Sequence, residues 1–250
     1  MQNNRQEYTL ALGRYSGLFK FENYLINNHE KILLASAIAL FAGLNAQTTF
    51  GVKAGYALSK LNSSEGDFEF GGFEASLKSK SGFYIGGLVE HKFNNKFAVQ
   101  GEVEYANLGG KAEVGIPGTG ITLTEKMNLN RIVIPVSARY YATPELGIYA
   151  GPYVSFKTNN KAKFEVSGPN AGMVDPSGLK EGERYLEKEL NDGLKSTDFG
   201  LFLGADYNVY KGLFVDARYS FGLTNMIKNP ADGETLKMNF FQLGVGYKFK

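Results

Sequence analysis

Eight stretches of the chain alternate apolar residues with polar or small ones at a period of two, the spacing that sends successive side chains to opposite faces of a β-strand. The last stretch is the clearest. Phe241, Leu243, Val245, Tyr247 and Phe249 share one parity, and Gln242, Gly244, Gly246 and Lys248 share the other. The first sets Phe50, Val52, Ala54, Tyr56 and Leu58 against Gly51, Lys53, Gly55, Ala57 and Ser59. The same rule predicts strands over 83–90, 97–105, 131–140, 148–157, 198–207 and 213–221. Charge follows parity. The apolar side of the strand cores is essentially free of it, while the other side carries Lys53, Glu90, Lys92, Glu102, Glu104, Arg131, Arg139, Lys157, Asp198, Asp206, Asp216, Arg218 and Lys248.

The connections between strands alternate in length. Short turns fall near 94–96, 142–146 and 210–212, and long ones near 60–81, 108–127, 158–197 and 224–237. A soluble barrel would have to bury the apolar parity, yet an eight-stranded lumen is only wide enough for side chains to fill it, and aromatics stand at nearly every strand end. Turned outward, those aromatics form two girdles. One, on the short-turn side, contains Phe93, Phe97, Tyr140, Tyr207, Tyr247 and Phe249; the other contains Tyr56, Phe83, Tyr105, Phe156, Phe199, Phe221 and Phe241. The pattern therefore predicts an all-β fold, an eight-stranded antiparallel transmembrane β-barrel with up-and-down meander topology, in a bacterial outer membrane. Short turns are expected in the periplasm and long loops at the cell surface.

Composition agrees with many short strands and polar loops: glycine and aromatics are abundant, only 7 prolines occur, and mean hydropathy is slightly negative. The net charge of +2 implies no nucleic-acid partner, and the absence of cysteine excludes a disulfide framework or a lipidated N-terminal cysteine. The longest apolar run, Ile32 to Gly43, is too short for a spanning helix. Lys31 precedes it and Leu44-Asn45-Ala46-Gln47 follows, which reads as a secretory signal peptide cleaved after Ala46. Residues 1–46 are thus an N-terminal extension and signal peptide, and 47–250 the barrel domain. Glu22 and Glu30 lie upstream of the apolar run, where a signal peptide should only be beginning, so residues 1–30 read as a mis-set translation start or a spurious extension.

Candidate chemistry is sparse. His91 is the one histidine beyond the expected cleavage point, and its parity puts it on the outer face beside the first short turn, away from where a surface hydrolase would need it. With one such histidine and no cysteine, a transition-metal site of nitrogen and sulfur ligands is not expected, and no cofactor is implied. Asp198-Phe199-Gly200 matches a kinase tripeptide but opens a strand, with no catalytic loop around it. Glu102 and Glu104, two residues apart, both point into the lumen and form the one carboxylate pair suited to acid–base work. The plainer reading is a lumen charge network of Glu102, Glu104, Arg131, Arg139, Asp206, Asp216 and Arg218. Within it Glu102 and Glu104 are expected to neutralise Arg131 and Arg139 on the neighbouring fourth strand. In loop 158–197, Glu181 to Leu190 reads as a short helix with Tyr185, Leu186 and Leu190 on one face.

Several segments resemble the small outer-membrane β-barrel proteins of Bacteroidota, the PorT-type or porin family, similar in architecture to OmpX and the OmpA barrel. They are 50–56 (Phe-Gly-Val-Lys-Ala-Gly-Tyr), Lys92-Phe93 with 96–100 and Glu102, Ile134-Pro135-Val136 with Arg139-Tyr140-Tyr141, 150–153, 198–200 and 244–249. One departure is Lys250, since such barrels usually end on an aromatic residue and here Phe249 is penultimate. The strand pattern and the sparse chemistry point to a non-enzymatic protein that presents surface loops in a structural or interaction role, and the resemblance adds a link to a secretion system as a narrower expectation. A small porin and, less favoured, a lipid-modifying enzyme are the alternatives. Implied partners are outer-membrane lipid, with Phe93, Tyr140, Tyr207, Tyr247 and Phe249 at its interface, the barrel-assembly machinery, and secretion-system or surface partners at loops 60–81 and 158–197.

Overall fold

The computed structural model describes residues 47–64, 68–70, 73–116 and 118–249, with side-chain surroundings for 47–64, 77–116 and 118–249. The readings of residues 1–46 and of Lys250 lie outside the described residues. Ten strands run antiparallel: β1 (Thr48–Ser63), β2 (Phe68–Phe70), β3 (Phe73–Lys78), β4 (Lys80–Lys92), β5 (Phe97–Ile116), β6 (Ile121–Tyr141), β7 (Leu146–Ser167), β8 (Thr197–Tyr210), β9 (Leu213–Gly222) and β10 (Leu236–Phe249). Eight of them close a ring in the order β5-β4-β1-β10-β9-β8-β7-β6, sealed by the β5–β6 pairing, with β2 and β3 appended to the far part of β5. Ring closure leaves no open edge along the barrel body, the condition a sheet must meet in hydrocarbon.

The short turns are set by local side chains. Asn94 Oδ1 accepts from the backbone N–H of Lys96 and of Phe97, at 2.8 and 2.9 Å. Thr143 Oγ1 does the same for Glu145 and Leu146, at 3.2 and 3.1 Å. Between β8 and β9 the two turn residues Lys211 and Gly212 both have positive φ, 43° and 94°, the geometry that fits a two-residue hairpin to strand twist.

Apolar side chains of the outward parity stand exposed around the ring, Ile85, Val103, Val136, Leu203, Leu243 and Val245 among them. Aromatics bound this belt at both ends, with Phe97 against Tyr140 at one rim and Phe83 near Tyr105 at the other. From Phe83 on β4 to Phe93 just past its end, at about 3.3 Å per residue and a tilt of about 40°, the belt is about 25 Å tall.

Strands β5, β6 and β7 run 20, 21 and 22 residues and continue well past the belt at the long-loop end. Beyond the girdle their polarity inverts. On β6 the outward residues pass from Tyr140, Val136 and Ile134 to Asn130, Asn128 and Lys126. The inward ones pass from Arg139 and Arg131 to the buried Leu129 and Met127. The same change occurs on β10, where inward Lys248 and Gln242 give way to Phe240 and Met238.

The segments near 60–81 and 108–127 are thus corrected from loops to strand: β1 extends to Ser63, the β2–β3 hairpin follows, and β5 and β6 form one long hairpin with a turn at 118–120. Segment 158–197 holds the end of β7 and helix α1 (Pro176–Gly193), longer than the expected 181–190. Asp175 caps α1, accepting from Ser177 N–H at 3.0 Å, and Pro176 occupies its first turn, where a missing N–H costs nothing. Leu190 is buried and Leu186 packs beside it, but Tyr185 is exposed and leaves the face expected for it.

Candidate functional site

The charged inward side chains gather in two knots. In the middle of the barrel Lys53 on β1 and Arg218 on β9 share Glu102 and Glu104 of β5. Lys53 Nζ lies 2.7 Å from Glu102 and 2.9 Å from Glu104, and Arg218 lies 2.5 Å from Glu102 and 3.4 Å from Glu104. Asp216 joins through Lys53 at 3.4 Å and accepts the Tyr149 hydroxyl proton. Gln100 and Gln242 donate to Glu102 and Glu104 at 2.7 and 3.0 Å. All five charged side chains are at most 3 % exposed. At such burial the partners are obligatory, because an unpaired charge there costs several kcal/mol (about 3–5).

The second knot lies nearer the short turns. Arg139 pairs with Glu90 at 3.2 Å and with Asp206, while Lys248 reaches Glu90 at 2.7 Å and Asp206 at 3.5 Å. Tyr141 donates to Glu90 at 2.7 Å. The Tyr149 ring separates the knots, with the Arg139 guanidinium 4.6 Å and the Arg218 guanidinium 5.3 Å from its centroid. Glycines on the inward parity admit these rings: a Cβ on Gly204 would stand 2.5 Å from the Tyr149 hydroxyl, and one on Gly244 would stand 2.3 Å from that of Tyr84. Lumen width therefore depends on a residue type that a period-two reading treats only as small.

The ion pairs expected between Glu102, Glu104 and Arg131, Arg139 are not those formed. Register is the reason. Glu104 faces Val133, whereas Arg131 faces Ala106 and Arg139 faces Ala98. Arg131 is thus displaced along the strand from Glu104 by about 7 Å and Arg139 from Glu102 by about 13 Å. In a narrow ring the cations across the lumen are nearer than those next door. Arg131, fully buried, makes no side-chain hydrogen bond, and Asp198 is instead bonded by Ser155 at 2.5 Å.

Above the knots an apolar plug fills the lumen: Leu61, Leu108, Leu129, Met127, Met238 and Phe240 from the walls, with Leu190, Leu194 and Met226 from the long connections. Tyr153 closes edge-on against Phe240, ring centroids 5.6 Å apart. At the opposite mouth a cavity of ≈ 350 Å³ is bounded by Glu90, Tyr141, Glu145, Tyr210, Lys211 and Lys248, so its floor is the second knot. The outer interface residues Phe93, Tyr140, Tyr207, Tyr247 and Phe249 are all exposed at that mouth, and His91 packs edge-on against Phe93 at 5.3 Å.

Just beyond the opposite girdle a hydrogen-bonded row crosses four strands, a lysine on β4 followed by amides on β5, β6 and β7: Lys80 Nζ donates to Asn107 at 2.6 Å, Asn107 to Asn130 at 2.7 Å, and Asn130 to Asn159 at 2.7 Å. Burial and the neighbouring Lys111 and Lys126 ammonium groups push the Lys80 pKa down to about 8. This amide row and the plug were not anticipated. The asparagines carried the signal, since a run of outward asparagines at matched register marks where an apolar outer face ends.

Comparison with known proteins gives a family. The model described as outer membrane protein beta-barrel domain matches residues 44–228. Among solved structures, the chain is similar to Ail, the attachment invasion locus protein of Yersinia pestis, in complex with the heparin analogue sucrose octasulfate (15% identity, TM-score 0.42, covering 81% of this chain and 99% of that one). It is also similar to the outer membrane protein OprG from Pseudomonas aeruginosa (17%, TM-score 0.38, 82% and 96%) and to Neisserial surface protein A (19%, TM-score 0.38, 80% and 97%). No curated protein sequence matches the chain. The match over most of the ring shows that the chain belongs to the outer membrane protein beta-barrel domain family and is a protein of the bacterial outer membrane.

Proposed function

We propose that this protein is a non-enzymatic, non-conducting barrel that anchors a folded platform at the cell surface, where the platform meets its partners. The filled lumen carries the reading: two knots of buried ion pairs and an apolar plug lie in series along the axis. The carboxylates best suited to acid–base work, Glu102 and Glu104, are both committed to Lys53 and Arg218. In this reading the apolar belt meets lipid, and the long-loop end, with the β2–β3 hairpin, the β5–β7 wall and α1, faces outward. Protein reconstituted in planar bilayers is expected to give no unitary conductance. Steps that change in size with Glu104→Gln would instead make it a small-solute porin.

The resemblance of 50–56, 134–136 and 244–249 to the PorT type supports a narrower role, service to a secretion system of Bacteroidota. A deletion strain that loses secreted proteins from the medium while its envelope stays intact would support that role, and unchanged secretion would remove it.

A further inference from the structure

The outer face of the wall beyond the girdle carries an arrangement that a sheet would not adopt for its own stability. Lys78 on β3 stands opposite Lys111 on β5, Lys111 opposite Lys126 on β6, and Lys126 opposite Lys163 on β7. Four ammonium groups thus form one row across four adjacent strands. Their parity is outward, because Leu77, Ala112, Met127 and Ala162, each next in sequence to one of them, pack into the apolar plug. The Lys78, Lys126 and Lys163 side chains are 53 %, 29 % and 64 % exposed.

Like charges directly opposite one another repel across a sheet. Two carboxylates partly offset this row: Glu113 lies 2.9 Å from Lys78, and Glu165 lies 2.5 Å from Lys126 and 3.5 Å from Lys163. Lys161, opposite Asn128 in the next outward row, adds a further positive charge. The excess positive charge stands about 15 Å above the aromatic girdle, taking the six residues from Tyr105 to Lys111 at about 3.3 Å each and a tilt of about 40°. That height clears the hydrocarbon and the roughly 5–8 Å of a phospholipid headgroup layer, so a lipid group reached there must project from the bilayer surface, as a saccharide does.

We propose that the lysine row is a docking surface for the phosphate-bearing saccharide headgroup of a glycolipid in the outer leaflet. The charge is of the matching sign, the row runs without a break across four strands, and it stands on the barrel's own flank at the height of a projecting saccharide. The placement in the outer leaflet rests on the outward orientation of the long-loop end proposed above; the binding itself does not.

The test uses the full protein in nanodiscs of phosphatidylcholine containing either a purified phosphorylated lipopolysaccharide or the same lipid after enzymatic dephosphorylation, with retention of glycolipid by the isolated barrel as the readout. Wild type is expected to retain the phosphorylated form, and to retain less of it as salt rises. Lys111→Gln with Lys126→Gln and Lys163→Gln should weaken retention at least about tenfold, since a lysine near an anionic surface contributes about 1 kcal/mol. Glu113→Gln with Glu165→Gln should strengthen it, which keeps the test decisive even if the triple variant folds poorly. Lys180→Gln with Lys188→Gln on α1 is the control and should change nothing. Equal retention of the dephosphorylated lipid, or by the triple variant when heat-modified gel mobility shows it folded, would overturn the proposal. So would a free sulfated oligosaccharide that binds the row while the glycolipid does not. Both faces of a nanodisc are accessible, so a reversed orientation in cells would appear in surface labelling and leave this readout intact.

Discussion

At the scale of single residues, the lumen is governed by which charges are left alone. Lys53 and Glu102 are buried and 2.7 Å apart. Lys53→Met or Glu102→Gln alone strands a partner, at a cost of about 3–5 kcal/mol, whereas the double variant removes both charges and should recover part of it. A double-mutant cycle by urea unfolding in lipid vesicles should therefore give a coupling of about 1–3 kcal/mol for Lys53 with Glu102, and less than about 0.5 kcal/mol for Arg139 with Glu102, which do not touch. Equal couplings would mean the cross-lumen pairing is wrong. Lys80 gives a second residue-scale expectation. Its pKa in the folded barrel, about 8, lies below the ordinary 10.5 of the unfolded chain. Between those values the unfolded chain holds the extra proton, so Lys80 makes stability rise with pH across that window and contributes no slope below it. The difference between wild type and Lys80→Met, measured from pH 7 to 11, should show this slope, and a flat difference would exclude the shift.

At the scale of elements, α1 solves a problem that β7 creates. Between Thr158 and Ser167 β7 pairs with β6 on one side, while β8 starts only at Thr197, opposite Phe156, which leaves the other edge of β7 open. Glu183, Glu187 and Asn191 recur every four residues on one helix face and accept from the backbone N–H groups of Phe164, Ala162 and Asn160, at 2.9, 3.2 and 3.2 Å. The helix thus supplies a polar seal to an edge that would otherwise template another strand. Glu183→Ala with Glu187→Ala should speed hydrogen exchange at Phe164 and Ala162 and leave Val154, in the closed ring, unchanged; equal protection in the variant would show that the seal lies elsewhere. This seal was half legible in sequence. Leu186 and Leu190 announce a helix, but nothing in the order of residues 158–167 says that their strand lacks a neighbour. Strand existence inside the belt was legible because the outward face there must be apolar throughout, as in Val99, Gly101 and Val103. Past the girdle that demand lapses, so Lys111, Glu113, Thr124 and Lys126 read as loop. The lumen charges were identifiable by parity alone, but their partners depended on register and on distances across the ring, which parity does not contain.

At the scale of the whole molecule, the barrel is two materials joined end to end: a lower part with apolar surface and polar filling, and an upper part with polar surface and apolar filling. That asymmetry gives the ends distinct identities, and orientation can be read directly. The chain has no cysteine, so single residues can be labelled cleanly. Lys180→Cys on α1 should react with an impermeant thiol reagent on intact cells, and Asn95→Cys in the first short turn should react only after the outer membrane is breached. The reverse result would invert the topology and with it the display reading.

The change of polarity at the amide row also makes the chain a gauge of bilayer thickness. Sliding the barrel by one residue pair toward the short-turn end would draw Asn107, Asn130 and Asn159 into hydrocarbon, and sliding it the other way would lift Val and Leu into water. Either displacement meets a restoring force of order 1 kcal/mol or more for each group that crosses. A belt of about 25 Å therefore matches a bilayer thinner than the common 30 Å, the kind found in bacterial outer membranes. In a thicker sheet of lipid the barrel must either pinch its surroundings or lean, so the row of asparagines helps decide in which membrane this protein is at rest.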